Sequence, residues 1–377
     1  ASAKEIKSIE AATAHDVKAV EYFIREKIHS QADLATLLPM VHFAATSEDI
    51  NNLSYALMLK ATRETVLLPN MDALIEKLKQ MANDYANIAM LARTHGQAAS
   101  PTTLGKELMN VAMRLQKQRD SFANVQILGK FNGAVGNYNA HKVAYPDVNW
   151  PTVCQTFVES LGIAWNPYST QIEPHDFVAE YLHALSRFNT VLIDLNRDIW
   201  HYIAIHYFIQ QKVDAEVGSS TMPHKINPID FENSEGNLGL ATALISHDAN
   251  KLPLSRWQRD LTDSTVLRNL GVISGYGLVA YQATLKGLNK LMANETQIKK
   301  DLDSHWEVLA EAVQTVMRKH GIHDAYEQLK LFTRGQQIDQ ELLMDFVDQL
   351  SLPDEIKKQL KNLKPNNKPK KENKKWQ

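Results

Sequence analysis

The sequence predicts an all-α protein built around long helices, and three observations predict it. Between Asp176 and Phe208 there is neither Pro nor Gly, and apolar residues recur at helical spacing. That is roughly 33 residues, or about 50 Å of helix at 1.5 Å per residue. A second long helical segment runs from about Asp263 to Met292. No stretch shows the period-two alternation of a strand. Two helices longer than ~25 residues point to a bundle, within one chain or shared between subunits.

In chain order, Lys4 to Ile28 reads as an amphipathic helix, with Ile6, Ile9, Val17, Val20, Phe23 and Ile24 near period 3.6. His15-Asp16 lies within it, where a His beside an acid is ordinarily a structural contact. Asp33 to Phe43 is short and apolar, and Ala45 to Asn52 interrupts it. Thr46 or Ser47 suits the N-cap of a following helix, with Glu48 and Asp49 favoured in its first turn. The same terminus could offer N–H groups to a carboxylate. Leu53 to Ala92 is helical by pattern, with Pro69 as a break. Arg93-Thr94-His95-Gly96-Gln97, followed by Pro101, reads as a turn. Leu104 to Leu128 is again helix. Asn132-Gly133-Ala134-Val135-Gly136-Asn137 is a Gly/Asn turn without the ending of a phosphate loop, and irregular chain follows to His175.

Beyond the first long helix comes Gly218-Ser219-Ser220-Thr221-Met222-Pro223-His224-Lys225-Ile226-Asn227-Pro228. Its two prolines forbid a regular helix and a central strand. A helix near Gly236–Asn250 and the polar run Ser255-Arg256-Trp257-Gln258-Arg259-Asp260 come next. After Asn294 the helices shorten, to Trp306–His320, Ala325–Leu331 and Asp339–Leu350. The expected organisation is therefore an N-terminal helical remainder (1–35), a central long-helix domain (36–288) carrying the loop at 218–237, and a C-terminal helical domain (289–364). A Lys-rich tail (365–377) is expected to be disordered.

With 377 residues, 44% hydrophobic and 22% charged, the chain can bury a large core. A net charge of −2 carries no polyelectrolyte signal, so nucleic acid is not an expected partner. Seven lysines against one glutamate after residue 360 leave the rest of the chain net acidic. The single cysteine, Cys154, rules out an internal disulfide framework and suggests a reducing, cytoplasmic setting. No apolar run approaches the ~20 residues that span a bilayer, so no membrane partner is expected. The chain opens without Met and within a helical pattern, so a segment upstream is expected.

The polar loop Gly218-Ser219-Ser220-x-Met222-Pro223-x-Lys225-x-Asn227-Pro228 resembles the signature loop of the fumarase/aspartase superfamily of lyases. Together with Thr46–Asn52 and Arg93–Gln97 it is similar to the adenylosuccinate lyase family. His15-Asp16-Val17-Lys18-Ala19-Val20-Glu21-Tyr22 and Ser255 to Ser264 resemble the bacterial subgroup. The likeness spans residue 1 to about 364. It implies a homotetramer with a shared helical bundle and active sites built from three subunits. It also implies β-elimination of fumarate from a succinylated nucleotide, with no metal or organic cofactor. No Cys/His set with ligand spacing argues otherwise.

Elimination needs a base for a proton beside a carboxylate and an acid for the departing amine. The resemblance assigns Ser219 as base and His95 as acid, with His15 as a competing acid or binding group. A serine hydroxyl serves as base only where donors and positive charge stabilise its alkoxide, for which Lys225 and the loop amides are the sources. Glu232 could orient a site histidine. Thr46, Ser47, Ser220, Lys225 and Asn227 are expected around the charge-bearing carboxylate. His15, Asp16, Gln171, Asn233, Arg259, Ser264 and Arg268 match positions holding the rest of the nucleotide, the two arginines through their planar donor forks. Two departures stand out. Ala14 replaces the Asn usual in bacterial relatives, and relatives begin upstream with an Arg-Tyr pair for the nucleotide phosphate. The alternatives are another superfamily lyase acting on argininosuccinate, malate or aspartate, and a catalytically silent binding homologue. His15-Asp16, Gln171 and the Trp257–Ser264 run argue against the first. Retention of Ser219, His95, Lys225 and Glu232 argues against the second.

Overall fold

The protein is described from a computed structural model covering residues 2–29, 31–211, 221–222, 224–335 and 338–366. Helices dominate, as the sequence predicts, and the chain divides into two compact units. One comprises residues 1–71, 117–190 and 236–280; the other comprises 72–116, 191–235 and 281–377. The Lys-rich tail from 367 lies outside the described residues. No helix among those described is long and apolar enough to cross a membrane.

In the first unit, the single helix expected over Lys4–Ile28 is two helices, Ser2–Thr13 and Asp16–His29, packed on one another. The break falls at Ala14, whose φ of 53° is left-handed. Thr13 Oγ1 turns back to donate to the Ile9 carbonyl (3.0 Å). His15 Nδ1 accepts from the Lys18 N–H (3.3 Å), which gives the second helix a side-chain cap. Nothing at Thr13–Asp16 is Gly or Pro, so the apolar period runs across the break unmarked. His15-Asp16 accordingly opens a helix instead of lying inside one.

Thr46 caps the helix Ser47–Thr62. A π-helical turn, Arg63–Leu67, carries the chain into the helix Leu68–Asp84. Pro69 therefore does not end the helix. It has no N–H to give, and the wider turn just before it absorbs the interruption of the ladder. A two-residue parallel pair joins Leu128–Gly129 to Ala164–Trp165. At Gly129 a Cβ would come within 2.6 Å of Leu53 Cδ2, so a larger residue there would displace that side chain. Cys154 is buried on the helix Trp150–Ser160, and burial pushes its thiol up to about 11, so it is a core residue. The second long segment divides into Thr262–Leu267 and Leu270–Asn289. At the junction Asn269 gives both its N–H (2.9 Å) and its side-chain amide (3.4 Å) to the Val266 carbonyl, competing with helix continuation.

The second unit corrects the expectation that strands are absent. Ala89–Thr94 and Gln97–Thr103 form an antiparallel hairpin, so the helix expected up to Ala92 ends at Asp84. A short apolar run such as Ile88–Ala92 fits strand and helix alike by pattern. Phe208–Gln210 pairs with Leu291–Ala293, so the helix Asp176–Ala204 stops before Phe208. Inside this unit Asn196 Nδ2 donates to Ser234 Oγ (2.9 Å), and Thr284 Oγ1 donates to Asn196 Oδ1 (3.0 Å). The Ser234 and Thr284 hydroxyls lie 2.8 Å apart, closing a buried ring across three helices. The helices from Ala310–Lys319 to Asp354–Lys361 enclose their own apolar core around Val313, Met317, Leu343 and Val347.

The left-handed Ala14 yields a test. An L-residue with a Cβ carries a cost of about 1–2 kcal/mol in that region, which glycine escapes. Ala14→Gly is expected to stabilise the chain by roughly 0.5–1 kcal/mol, read as a higher urea midpoint at unchanged slope.

Candidate active site

The start of the helix Ser47–Thr62 organises the polar centre of the first unit. Asp49 is fully buried, and its carboxylate meets four donors. It accepts from the N–H groups of Thr46 (2.9 Å), Asn132 (3.1 Å) and Gly133 (3.1 Å), and it pairs with the buried Lys130 ammonium (2.8 Å). Burial pulls Lys130 below the ordinary lysine range, the Asp49 carboxylate pulling against it. Asn52 completes the clamp, exchanging bonds with the Lys130 backbone N–H (2.9 Å) and carbonyl (3.0 Å). The Thr46 reading as a cap holds, and its N–H is already taken by Asp49.

Glu48, the neighbour of Asp49, pairs with Arg259 (2.9 Å). Arg259 Nη1 donates to Gln171 Oε1 (3.2 Å), and Gln171 Nε2 donates to the Ala134 carbonyl (3.1 Å). Thr170 Oγ1 also donates to the Gln258 carbonyl (2.8 Å), so residues 170–171 and 258–259 are fastened twice. The loop that presents Arg259 braces itself. Asp260 accepts from the Thr262 hydroxyl and N–H and from the Arg256 N–H, which hold its carboxyl well below the usual range. Arg259 and Gln171 border a cleft of about 380 Å³, large enough for part of a nucleotide.

A smaller cleft of about 70 Å³ is lined by Asp16, Glu48, Tyr55, Ser264 and Arg268, among others. It accommodates a single small group. Asp263, also in its lining, accepts from the Ser264 N–H (2.6 Å) and lies 3.4 Å from His175 Nε2. Burial works to raise the Asp263 carboxyl; the bonds from His175 and the Ser264 N–H, with the charges of His175 and Arg259, hold it below the ordinary range. His15 Nδ1 lies 3.3 Å from the Lys18 backbone nitrogen and 3.4 Å from Asp16 Oδ1.

In the second unit His95 sits at the tip of the hairpin. It and Gly96 form the two-residue turn, with φ of 52° and 74°, the type I′ geometry that matches strand twist. Arg93 in the stem pairs with Asp301 (2.6 Å), which also accepts from the Tyr207 hydroxyl. The cation of this cluster is thus structural, and it fixes the hairpin that displays His95. Glu232, in the first turn of the helix Ile229–Lys251, accepts from the Trp200 indole (3.1 Å). Asn233 lies on the same helix, and Lys225 and Asn227 precede it in exposed and half-buried positions. The Ile226 carbonyl accepts from Gln210 Nε2 (3.0 Å), anchoring that stretch. Ser219 and Ser220 lie outside the described residues.

The first unit therefore brings together the neighbourhoods of Asp16, Thr46, Ser47, Gln171, Arg259, Ser264 and Arg268. Sequence reasoning missed Asp49, Lys130, Asp263 and the role of Glu48. Lys130 left one signal, a lone charge in the apolar run Ile127-Leu128-Gly129-Lys130-Phe131.

Residues 1–242 match the family profile described as Lyase, and residues 255–368 match that described as Adenylosuccinate lyase C-terminal. The chain is 58% identical to the adenylosuccinate lyase of Escherichia coli (strain K12) over 365 residues, covering 97% of this chain and 80% of that protein. It is 57% identical to the adenylosuccinate lyase of Vibrio cholerae over 366 residues, with the same coverage. The chain belongs to the adenylosuccinate lyase family. Solved structures with the same fold include the 3-carboxy-cis,cis-muconate lactonizing enzyme of Pseudomonas putida, with a TM-score of 0.76 at 22% identity. That match covers 96% of this chain and 80% of the other. Class II fumarase of Schistosoma mansoni matches with a TM-score of 0.70 at 17% identity, covering 92% and 78%. These two share the fold, in keeping with an all-α lyase.

Asp263 sets a pH dependence whose sign follows from its lowered carboxyl. The stabilisation is present above the ordinary carboxylate pKa of about 3.9 and is lost as pH falls through the folded value. Asp263→Asn is expected to cost about 1–3 kcal/mol near neutral pH, with the gap to the unaltered chain closing below roughly pH 4. Urea midpoints of both proteins across that range measure it.

Proposed function

We propose that the chain eliminates fumarate from adenylosuccinate, leaving AMP. It acts likewise on the succinylated aminoimidazole carboxamide ribotide, leaving AICAR. The observation that carries this reading is identity above one half with adenylosuccinate lyases over 97% of the chain. In the reaction a base removes the proton from the carbon beside one succinyl carboxylate. The electron pair forms the fumarate double bond, the carbon–nitrogen bond breaks, and the departing nitrogen takes a proton from the acid.

Ser219 is the base in this reading, with Lys225 and the loop amides stabilising its alkoxide. His95 is the acid. Its support is the hairpin tip, held in a type I′ turn and braced by Arg93 and Asp301, which presents an exposed imidazole on a fixed stem. His15 is better suited to binding. Its Nδ1 lies against the Lys18 N–H (3.3 Å) and Asp16 Oδ1 (3.4 Å) at a helix start, which leaves Nε2 as the ring nitrogen for a ligand. Gln171, Arg259, Ser264 and Arg268 hold the nucleotide, with Asp16, Thr46, Ser47, Ser220, Asn227 and Asn233 completing the pocket. Glu232 supports the site through Trp200. The enzyme works in the cytoplasm as a homotetramer. Leu240, Val272 and Val279 leave apolar surface on the helices Ile229–Lys251 and Leu270–Asn289 that partner subunits would cover.

The test is fumarate release from adenylosuccinate, followed at about 240 nm, against argininosuccinate, malate and aspartate as controls. His95→Gln and Ser219→Ala are each expected to lower turnover by about 10²–10⁴-fold with a far smaller change in substrate affinity. Near-normal turnover in either removes that residue from its role. Mixing the two inactive variants is expected to restore part of the activity through hybrid sites. A fully active monomer by light scattering would exclude sites shared between subunits.

A further inference from the structure

We infer that Glu48 is a positioning residue for substrate binding: through Arg259 it sets the orientation of the Gln171 side-chain amide in the large cleft. The inference rests on the proposed reaction only in taking that cleft as the nucleotide site.

A half-buried glutamine can turn its amide end for end, exchanging a donor for an acceptor at similar energy. Gln171 cannot do so freely. Arg259 has only donors to offer, and it meets Oε1 (3.2 Å); the Ala134 carbonyl has only lone pairs, and it meets Nε2 (3.1 Å). Both neighbours select the same orientation, leaving one N–H and one lone pair for a ligand. The question then passes to Arg259, a long side chain with many rotamers. Its Nη2 is held by Glu48 at 2.9 Å, and its Nε is buried without a hydrogen-bond partner. The guanidinium is therefore placed by Glu48 and Gln171, not by its own full satisfaction.

Glu48 can act as an anchor because it does not move. It is buried on the first turn of the helix Ser47–Thr62 and also accepts from Asn51 Nδ2 (3.1 Å). The circuit closes through its neighbour. Asp49 receives the Gly133 N–H (3.1 Å), and Gly133 is bonded to Ala134, whose carbonyl holds Gln171. Two consecutive acidic residues thus grip the two sides of Gln171, one through a cation and the other through a loop. Arg259 thus links Glu48 to Gln171 through one N–H of each terminal nitrogen, and the remaining N–H of each stays available to the nucleotide.

Glu48→Gln, which keeps the volume and removes the charge, is expected to raise KM for adenylosuccinate about tenfold, with kcat within about threefold. Kd for AMP, measured by calorimetry, should rise by a similar factor. The readout that a merely structural role would not move is coupling. Gln171→Ala together with Glu48→Gln should bind no worse than Gln171→Ala alone, because the residue being positioned is gone. Arg259→Lys, which keeps the charge but cannot bridge both partners, should raise KM at least as much as Glu48→Gln and lose part of that effect in the Gln171→Ala background, which serves as the second route if Glu48→Gln fails to fold. Unchanged KM in these variants, or effects of Glu48 and Gln171 that simply multiply, would overturn the inference while leaving the reaction standing. An unaltered chain that neither releases fumarate nor binds AMP would overturn both.

Discussion

The buried Asp49–Lys130 pair is the constraint on which the polar architecture of the first unit depends. Two charges removed from water are costly, and their mutual attraction repays this only when the remaining lone pairs and protons are satisfied. Here three backbone N–H groups complete the Asp49 shell, and Asn52 brackets the Lys130 backbone. Removing one partner of such a pair typically costs about 3–5 kcal/mol, whereas a well-packed apolar pair would stabilise as well or better. What the ion pair supplies instead is position. It ties the start of one helix to the 130–134 loop, and that loop carries the carbonyl that orients Gln171.

The same logic recurs in the second unit with neutral groups. The ring of Asn196, Ser234 and Thr284 leaves each hydroxyl both donating and accepting, so its burial carries little penalty. A one-residue slip of any of the three helices would leave these groups unpaired, so the ring registers them. Ser234 follows Glu232 and Asn233 directly, which makes that register also the placement of two candidate site residues. Likewise Asp301 secures the hairpin through Arg93 and thereby the histidine at its tip.

Much of this was legible in the residues. The Pro- and Gly-free stretch after Asp176 announced the long helix, and Thr46 with Glu48 and Asp49 announced a helix start. Arg93–Gln97 announced a turn. The hairpin around that turn was not legible, because Ile88–Ala92 is too short for its period to separate strand from helix. Nor was the break at Ala14, where a left-handed residue carries no mark unless it is Gly or Asn. Pro69 misled in the opposite direction, since a π turn can absorb a missing donor.

By itself the sequence determined the helical class, the places where helices end in polar clusters, and a set of motifs that resemble those of the adenylosuccinate lyase family. These follow from periodicity, capping chemistry and motif order, all of which are local. Only the tertiary structure decided which of those groups are partners. Glu48 meets Arg259 across more than two hundred residues, and Asp49 meets Lys130 across eighty-one. It also decided that Arg93 is a strut and that Glu232 meets an indole. A charged residue at a helix start looks the same in sequence whether it faces solvent or a buried cation, because burial is a property of the packed chain and not of its order.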